Sequence, residues 1–487
     1  MDSKAVFSRK GDSPSKVFKG LSPLLFLLCL LLLSGCSPVT YPEAKVKQAL
    51  QDIALKEYKI PHIDVEFAGT TLGVFLPLDR LFAADLKAAL LSGKVTDMES
   101  LFQPTDEVID KVENILFSMS RVMLSTDKKI DFYYLQATDV EKSGMDLTFI
   151  GQIDDLKRVR FLDIPRSEYR KRIIHDLQMN RAALWHRPVR HFFKDLNEGK
   201  TEEVQKSYFP NTAQAKWARE FFFTDAAGAV LPQGRAQWTL LDLRSIPIQD
   251  NDIVVYAKAQ VAPKVPSDKS IRSGTMEYLF QISTAGDTEK IRRIIPLAYL
   301  DDKVTNLGFT FTRAMVAQSL PNWEKEFTTP DLTMGDFLAR QFTRRFQQLA
   351  GEDERLFNTF KSVKLAVRFE EMPDRHFLFS AAAPLKGVGQ VAYHPEKGLH
   401  EDVLYFWERV AREFVQVLRS YSFQDYQSLQ FQIYENGKLL TWTASREDLE
   451  LFRRHKMKFS SILHLSESVS EAVEVPEEAE PANSAVS

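Results

Sequence analysis

Cysteine is nearly missing from this 487-residue chain: there are two, Cys29 and Cys36, and none beyond them. The body of the molecule therefore has no disulfide, no thiolate nucleophile and no cysteine-based zinc site. An excess of charge of one sign is missing too. Lys and Arg number 63 against 66 Asp and Glu, a formal net charge of −3. No domain carries the strongly basic balance that phosphate neutralisation demands, which argues against nucleic acid as a partner. Long hydrophobic runs are absent apart from one, from Leu21 to Leu33. The chain also lacks a Gly-x-Ser-x-Gly elbow, a Gly-x-x-x-x-Gly-Lys phosphate cradle and a Gly-x-Gly-x-x-Gly dinucleotide pattern.

The remaining candidates for catalysis or metal binding are incomplete. His400-Glu401 begins like a zinc-protease helix, but the second ligand position is Leu404. Asp250-Asn251-Asp252 begins like a calcium loop, yet its twelfth position is Val261 rather than a glutamate, so it reads as a turn. His186 and His191 flank Pro188 at a spacing unsuited to one helical face. No catalytic residue, metal ligand or cofactor is expected from these patterns.

The apolar run follows a segment carrying Lys4, Arg9, Lys10, Lys16 and Lys19, and it ends in Leu33-Ser34-Gly35-Cys36. A basic start orients such a segment in a membrane, and a run this short does not span one stably. The layout resembles the export signal of bacterial lipoproteins, with Leu33 to Cys36 matching the lipobox. The resemblance implies that residues 1–35 are a cleaved signal peptide and that Cys36 carries diacylglycerol and an N-acyl chain. Such tails, at about 0.8 kcal/mol per buried CH2, form a permanent tether. Ser37 stands where an Asp commonly marks retention at the inner membrane, which favours the outer membrane, facing the periplasm. Envelope proteins are then the expected partners.

An internal repeat organises the body. Thr105 is positioned to cap a helix whose Val108, Val112, Ile115, Met119 and Met123 form one stripe. Strands at 130–138 and 145–153 follow around Ser143-Gly144, then Asp154-Asp155-Leu156. The same order returns at 401–421, with Val403, Phe406, Val410, Phe414 and Val417 on one face. Leu429, Phe431 and Ile433 then alternate into Asn436-Gly437, a strong hairpin signal. A constant offset of 293 residues separates Leu147 from Leu440 and Asp155 from Asp448. Upstream, Ile63, Val65 and Phe67 match Val363, Leu365, Val367 and Phe369, each set preceded by a helix. Each copy reads helix, two strands, helix, two strands, with helices covering one face of an antiparallel sheet. Phe149 and Trp442 are expected to be equivalent and both buried.

Between the copies, a helical segment broken at Asn197 to Lys200 leads into four strands: 236–246, 252–261, 273–284 and 290–300. Phe192 to Asn197, Gly199, Val204 and Tyr208, with Tyr278-Leu279-Phe280 and Lys290 to Ile294, resemble the cone-shaped fold of the nuclear transport factor 2 superfamily. That resemblance implies a ligand cavity or a filled, structural cone. Trp238, Leu240, Asp242 and Arg244 are expected on one strand face, and Phe221-Phe222-Phe223 either lines the cone or plugs it.

A basic stretch from Lys157 to Lys194 invites a role as a patch for anionic lipid or polysaccharide. Glu168 one turn before Arg172, with Ile173, Leu177 and Leu184 at helical spacing, favours a solvated connecting helix instead. The glutamate-rich end cannot bury enough apolar surface to order itself. The expected fold class is α+β: an N-terminal module (36–175), a cone-like domain (178–300), a C-terminal module repeating the first (331–465) and a disordered acidic tail (466–487). The expected function is a lipid-anchored envelope protein that binds or scaffolds, with an envelope enzyme using the central cavity as the alternative.

Overall fold

The computed structural model describes residues 41–83, 102–208, 222, 235–248, 251–268, 271, 273–284, 289–300, 312–387, 391–435 and 438–468. The expected export signal with Cys36, and residues 469–487 of the acidic tail, lie outside them. The described chain is a mixed α+β structure with several sheets and no barrel.

Helix α1 (Glu43–Tyr58) precedes strands β1 (Asp64–Ala68) and β2 (Thr71–Leu78). Helix α2 (Asp106–Met123) crosses over to β3 (Phe132–Asp139) and β4 (Met145–Gln152). Thr105 caps α2 as expected, accepting from Val108 N, and the Val108–Met123 stripe is buried. Two short helices, α3 (Ile153–Arg160) and α4 (Arg166–Arg172), lead into β5 (Ile174–Met179). The sheet runs in sequence order, β1 to β5.

Two expectations fail here. The sheet is mixed, because a crossover helix returns the chain to the same end and makes β2 and β3 parallel; the other neighbours are antiparallel. The basic stretch is not one helix either. Residues 174–179 extend to pair with β4, so hydrogen bonding along an open strand edge outweighs the helical spacing of Ile173, Leu177 and Leu184.

Helices α5 (Arg181–Glu198) and α6 (Thr201–Tyr208) are separated at Gly199, whose φ of 76° closes α5. They precede an antiparallel meander of β6 (Ala236–Pro247), β7 (Asp252–Pro263), β8 (Gly274–Ser283) and β9 (Lys290–Pro296). The rings of Phe192, Phe193, Phe222, Trp238, Tyr278 and Phe280 interlock between α5 and this sheet, with neighbouring centroids 5.1–6.2 Å apart. Phe222 therefore plugs this space rather than lining it; Phe221 and Phe223 lie outside the described residues.

After α7 (Arg313–Ser319), the chain runs back over the first sheet and enters α8 (Met334–Glu352), where Thr333 and Asp336 form a capping box. Next come α9 (Glu354–Thr359), β10 (Lys364–Glu370), β11 (His376–Ala382) and the two-residue strands β12 (Tyr393–His394) and β13 (Gly398–Leu399). The chain ends with α10 (Glu401–Ser420), β14 (Ser428–Glu435), β15 (Lys438–Ser445), α11 (Arg446–Arg453) and β16 (His464–Ser468). The second five-stranded sheet has the order β10-β11-β14-β15-β16, again with one parallel pair, β11 and β14. Strand order and strand senses are thus the same in both sheets. Pairing in β16 extends to Ser468, past the Ser466 boundary expected for the disordered tail.

Helices cover more than one face of the first sheet, contrary to expectation. Val65, Val74 and Leu135 pack on α1 and α2. Phe75, Phe132, Tyr134 and Ile150 on the other face join the core of the second sheet through Phe327, Leu332, Phe337 and Phe342. Every residue of β3 is accordingly buried.

Candidate functional site: an apolar cleft on the first sheet

The histidines and the Asp242–Arg244 pair singled out in the sequence each have their own partners, and Asp250 lies outside the described residues. His186 is fully buried, and its Nδ1 donates to Glu326 Oε1 at 2.5 Å; Arg190 pairs with the same carboxylate. Burial alone would raise the pKa of Glu326, but Arg190 and His186 outweigh it and hold the carboxyl below its ordinary range. The backbone oxygen of Glu326 accepts from Gln136 Nε2 at 2.6 Å and from Asn180 Nδ2 at 2.8 Å. Asn180 and Thr138 also donate to Asp146 Oδ1, at 3.1 and 2.6 Å. Burial pushes the pKa of Asp146 up to about 6, against these hydrogen bonds. This network ties β3, β4, the cap of α5 and the 320s segment together.

His191 instead pairs with Glu141. Asp242 binds Arg244 at 2.9 Å, and Arg244 donates to Leu320 O. A register shift between Leu240 and Asp242 changes the strand's phase: Trp238 and Leu240 pack on the aromatic core, whereas Asp242 and Arg244 lie opposite Lys258 and Tyr256. The expected common face is therefore broken. His400 caps α10 by accepting from Asp402 N, and Asn251, at φ 64°, sits in a turn. Among the described residues no group of three or more His, Cys, Asp or Glu is placed to hold a metal ion.

One concavity of chemical interest was not legible in any motif. It is a cleft of about 1080 Å³ between α2, β4, β5 and the α3–α4 hairpin, walled by Val112, Leu116, Leu147, Phe149, Tyr169 and Leu177. Ile109 and Phe117 of α2 are 45 % and 44 % exposed at its edge, and Leu162, which closes α3, is 88 % exposed. Lone exposed apolar residues are ordinary; a cluster around one concavity marks a binding surface. Tyr169 in the wall bonds the Tyr133 hydroxyl at 2.9 Å, and burial pushes both phenols up. Arg160, Arg166 and Arg170 also line the cleft.

The second sheet shows why the first one is open. Val112 lies seven residues after its helix cap, Thr105; Trp407 lies seven after His400. Sheet register likewise sets Leu135 and Phe149 where the second sheet has Phe431 and Trp442. Trp407 stacks on Phe431 at 4.7 Å and meets Trp442 edge-on at 5.2 Å, filling the space. Valine and leucine replace two of those three rings in the first sheet. Phe149 is consequently only partly buried, where Trp442 is buried, so only half of the expectation for this pair holds. The rims differ as well. Phe117 and Leu162 correspond to Arg412 and His455, which line a smaller recess of about 400 Å³ with Glu408, Lys456 and Lys458. The available sequence signals were the apolar residues off the buried stripe of α2 and the Phe161-Leu162 pair where the matching segment reads Arg454-His455.

No protein-family model matches the chain, and neither a curated protein nor a solved structure matches it.

Proposed function

We propose that this is a lipid-anchored protein of a bacterial cell envelope that binds an apolar ligand in the cleft on its first sheet. In this reading, residues 1–35 are removed on export and Cys36 carries the lipid, placing the protein at a membrane facing the periplasm. The two five-stranded sheets are products of a duplication that flank a cone-like domain; one kept its aromatic filling and the other opened a site. The 293-residue offset and the shared strand order support the duplication. The observation that carries the binding function is the exposed apolar rim around a concavity large enough for a drug-sized molecule or a lipid chain. An enzyme in the central domain draws less support, because interlocked rings occupy its interior and His191 and Asp242 sit in separate ion pairs.

The test is saturable binding of N-phenyl-1-naphthylamine, a neutral dye that brightens in apolar surroundings. The wild-type protein should bind it with one class of site. Val112→Trp, which installs the ring found at position 407, should weaken binding at least tenfold while the circular dichroism spectrum is retained. Undiminished binding by a folded Val112→Trp protein places the dye elsewhere and rejects the cleft.

A further inference from the structure

The apolar cleft continues into a second recess of different character. A concavity of about 770 Å³ between α4, β5, α8 and α10 is lined by Arg170, Lys171, His175, Arg344, Arg345 and Arg409, with Glu352, Asp353 and Glu413. Arg170 and His175 line both spaces, so the two meet at β5 and the end of α4. Two of the cations have local counter-charges: Arg345 lies 2.7 Å from Glu413, and Arg409 lies 4.0 Å from Asp353. Arg344 differs. Its guanidinium donates to Ile173 O at 2.8 Å and to His175 Nε2 at 2.9 Å, both neutral acceptors. It is half-buried, and burial followed by repulsion from Arg345 lowers its pKa against the opposing pull of Asp176, which acts from a distance rather than in a contacting ion pair. A partly desolvated guanidinium whose direct acceptors are neutral is a receptor for an anion, since a bidentate oxyanion supplies a contacting charge and uses the fork of donors.

Resting on the reading of the cleft as a binding site, we propose that the ligand is an anionic lipid: its acyl chain lies along Val112, Phe149 and Leu177, and its phosphate head is held by Arg344 and Arg170. An apolar trough opening into a cationic recess matches the two ends of such a molecule. Neither a neutral hydrocarbon nor a free anion uses both. The basic residues flanking β5 thus act as the end of a lipid site rather than as a solvated face.

Displacement of the bound dye separates the possibilities. A palmitoyl lysophosphatidate and a monopalmitoylglycerol share a chain and differ in the phosphate. The first should displace the dye at a concentration at least tenfold lower, and the advantage should shrink in high salt. Arg344→Gln, at a position outside the apolar cleft, should abolish most of that advantage while leaving dye and monoacylglycerol binding unchanged, which also shows that the variant is folded. Each chain CH2 removed should weaken either lipid about fourfold. Inorganic phosphate at the same concentrations should leave the dye in place. Equal potency of the two lipids, or an advantage that survives the Arg344 substitution undiminished, overturns the lipid assignment and leaves the cleft reading standing. Phosphate competing as well as lysophosphatidate also overturns it, in favour of a free-anion site. Failure of the wild-type protein to bind the dye at all removes both.

Discussion

Leu162 combines two unfavourable features. Its φ of 63° lies in the left-handed region, which costs an L-residue roughly 1–2 kcal/mol, and its side chain projects into water. The matching residue, His455, has a similar φ of 57° but a polar side chain that suits the exposure. A leucine here is understandable if something apolar covers it. Asp146 is the buried counterpart of this argument. Because burial raises its folded pKa to about 6, well above the ordinary carboxyl range, the folded protein holds a proton that the unfolded chain has released. The resulting stabilisation is complete below about pH 4, declines as pH rises and is gone above about pH 6, an effect of about 3 kcal/mol. Urea unfolding midpoints measured between pH 4 and 7 should fall accordingly, and Asp146→Asn should flatten that segment of the profile. A wild-type profile that is flat or rises over this window would show that Asp146 is ionised at little cost.

At the scale of elements, β2 and β3 are buried on both faces because a non-helical segment crosses the sheet before α8. Phe327 stacks on Phe75 at 5.4 Å, and Leu332 N bonds Thr71 Oγ1 at 3.1 Å. Gly73 permits the approach: a Cβ there would sit 1.9 Å from Thr329 Oγ1 and 2.8 Å from the Phe327 ring. Gly73→Ala should therefore cost about 1–3 kcal/mol through overpacking, although alanine otherwise suits a strand better than glycine. The shift in urea midpoint measures it. A midpoint equal to wild type would mean that the crossing segment yields easily.

At the scale of the molecule, α8 serves two sheets. Phe337 meets Phe132 of the first sheet at 5.5 Å, and Phe342 meets Phe377 of the second at 5.3 Å, so the first and last thirds of the chain share one hydrophobic core. No helix among the described residues is long and apolar enough to cross a membrane, so attachment in the proposed reading rests on the lipid at Cys36. Cys36→Ser removes the thiol that diacylglycerol transfer requires. The variant should leave the membrane pellet and appear in the soluble fraction. A Cys36→Ser protein that still sediments and resists carbonate extraction would refute lipid anchoring.

Local periodicity and turn chemistry made much of the fold readable: the α2 and α10 stripes, the Thr105 cap and the β14–β15 hairpin all depend on neighbours within a few residues. Elements set by distant pairing were not readable. β5 and β16 exist because each hydrogen-bonds an open edge, and the parallel pairs exist because a helix returns the chain to the same end of the sheet. The bulge that parts Asp242 from Trp238 depends on the partner strand. The cleft was the least legible feature. It arises where Val112 and Leu135 leave room that Trp407 and Phe431 fill in the other sheet, and such a difference in volume becomes a cavity only once α2 is docked on β3 and β4. The sequence by itself determined which segments are amphipathic, which turns are tight and which two regions share a pattern. Only the tertiary structure decided which of two similar sheets is filled and which is open, because packing is settled by side chains far apart in the chain.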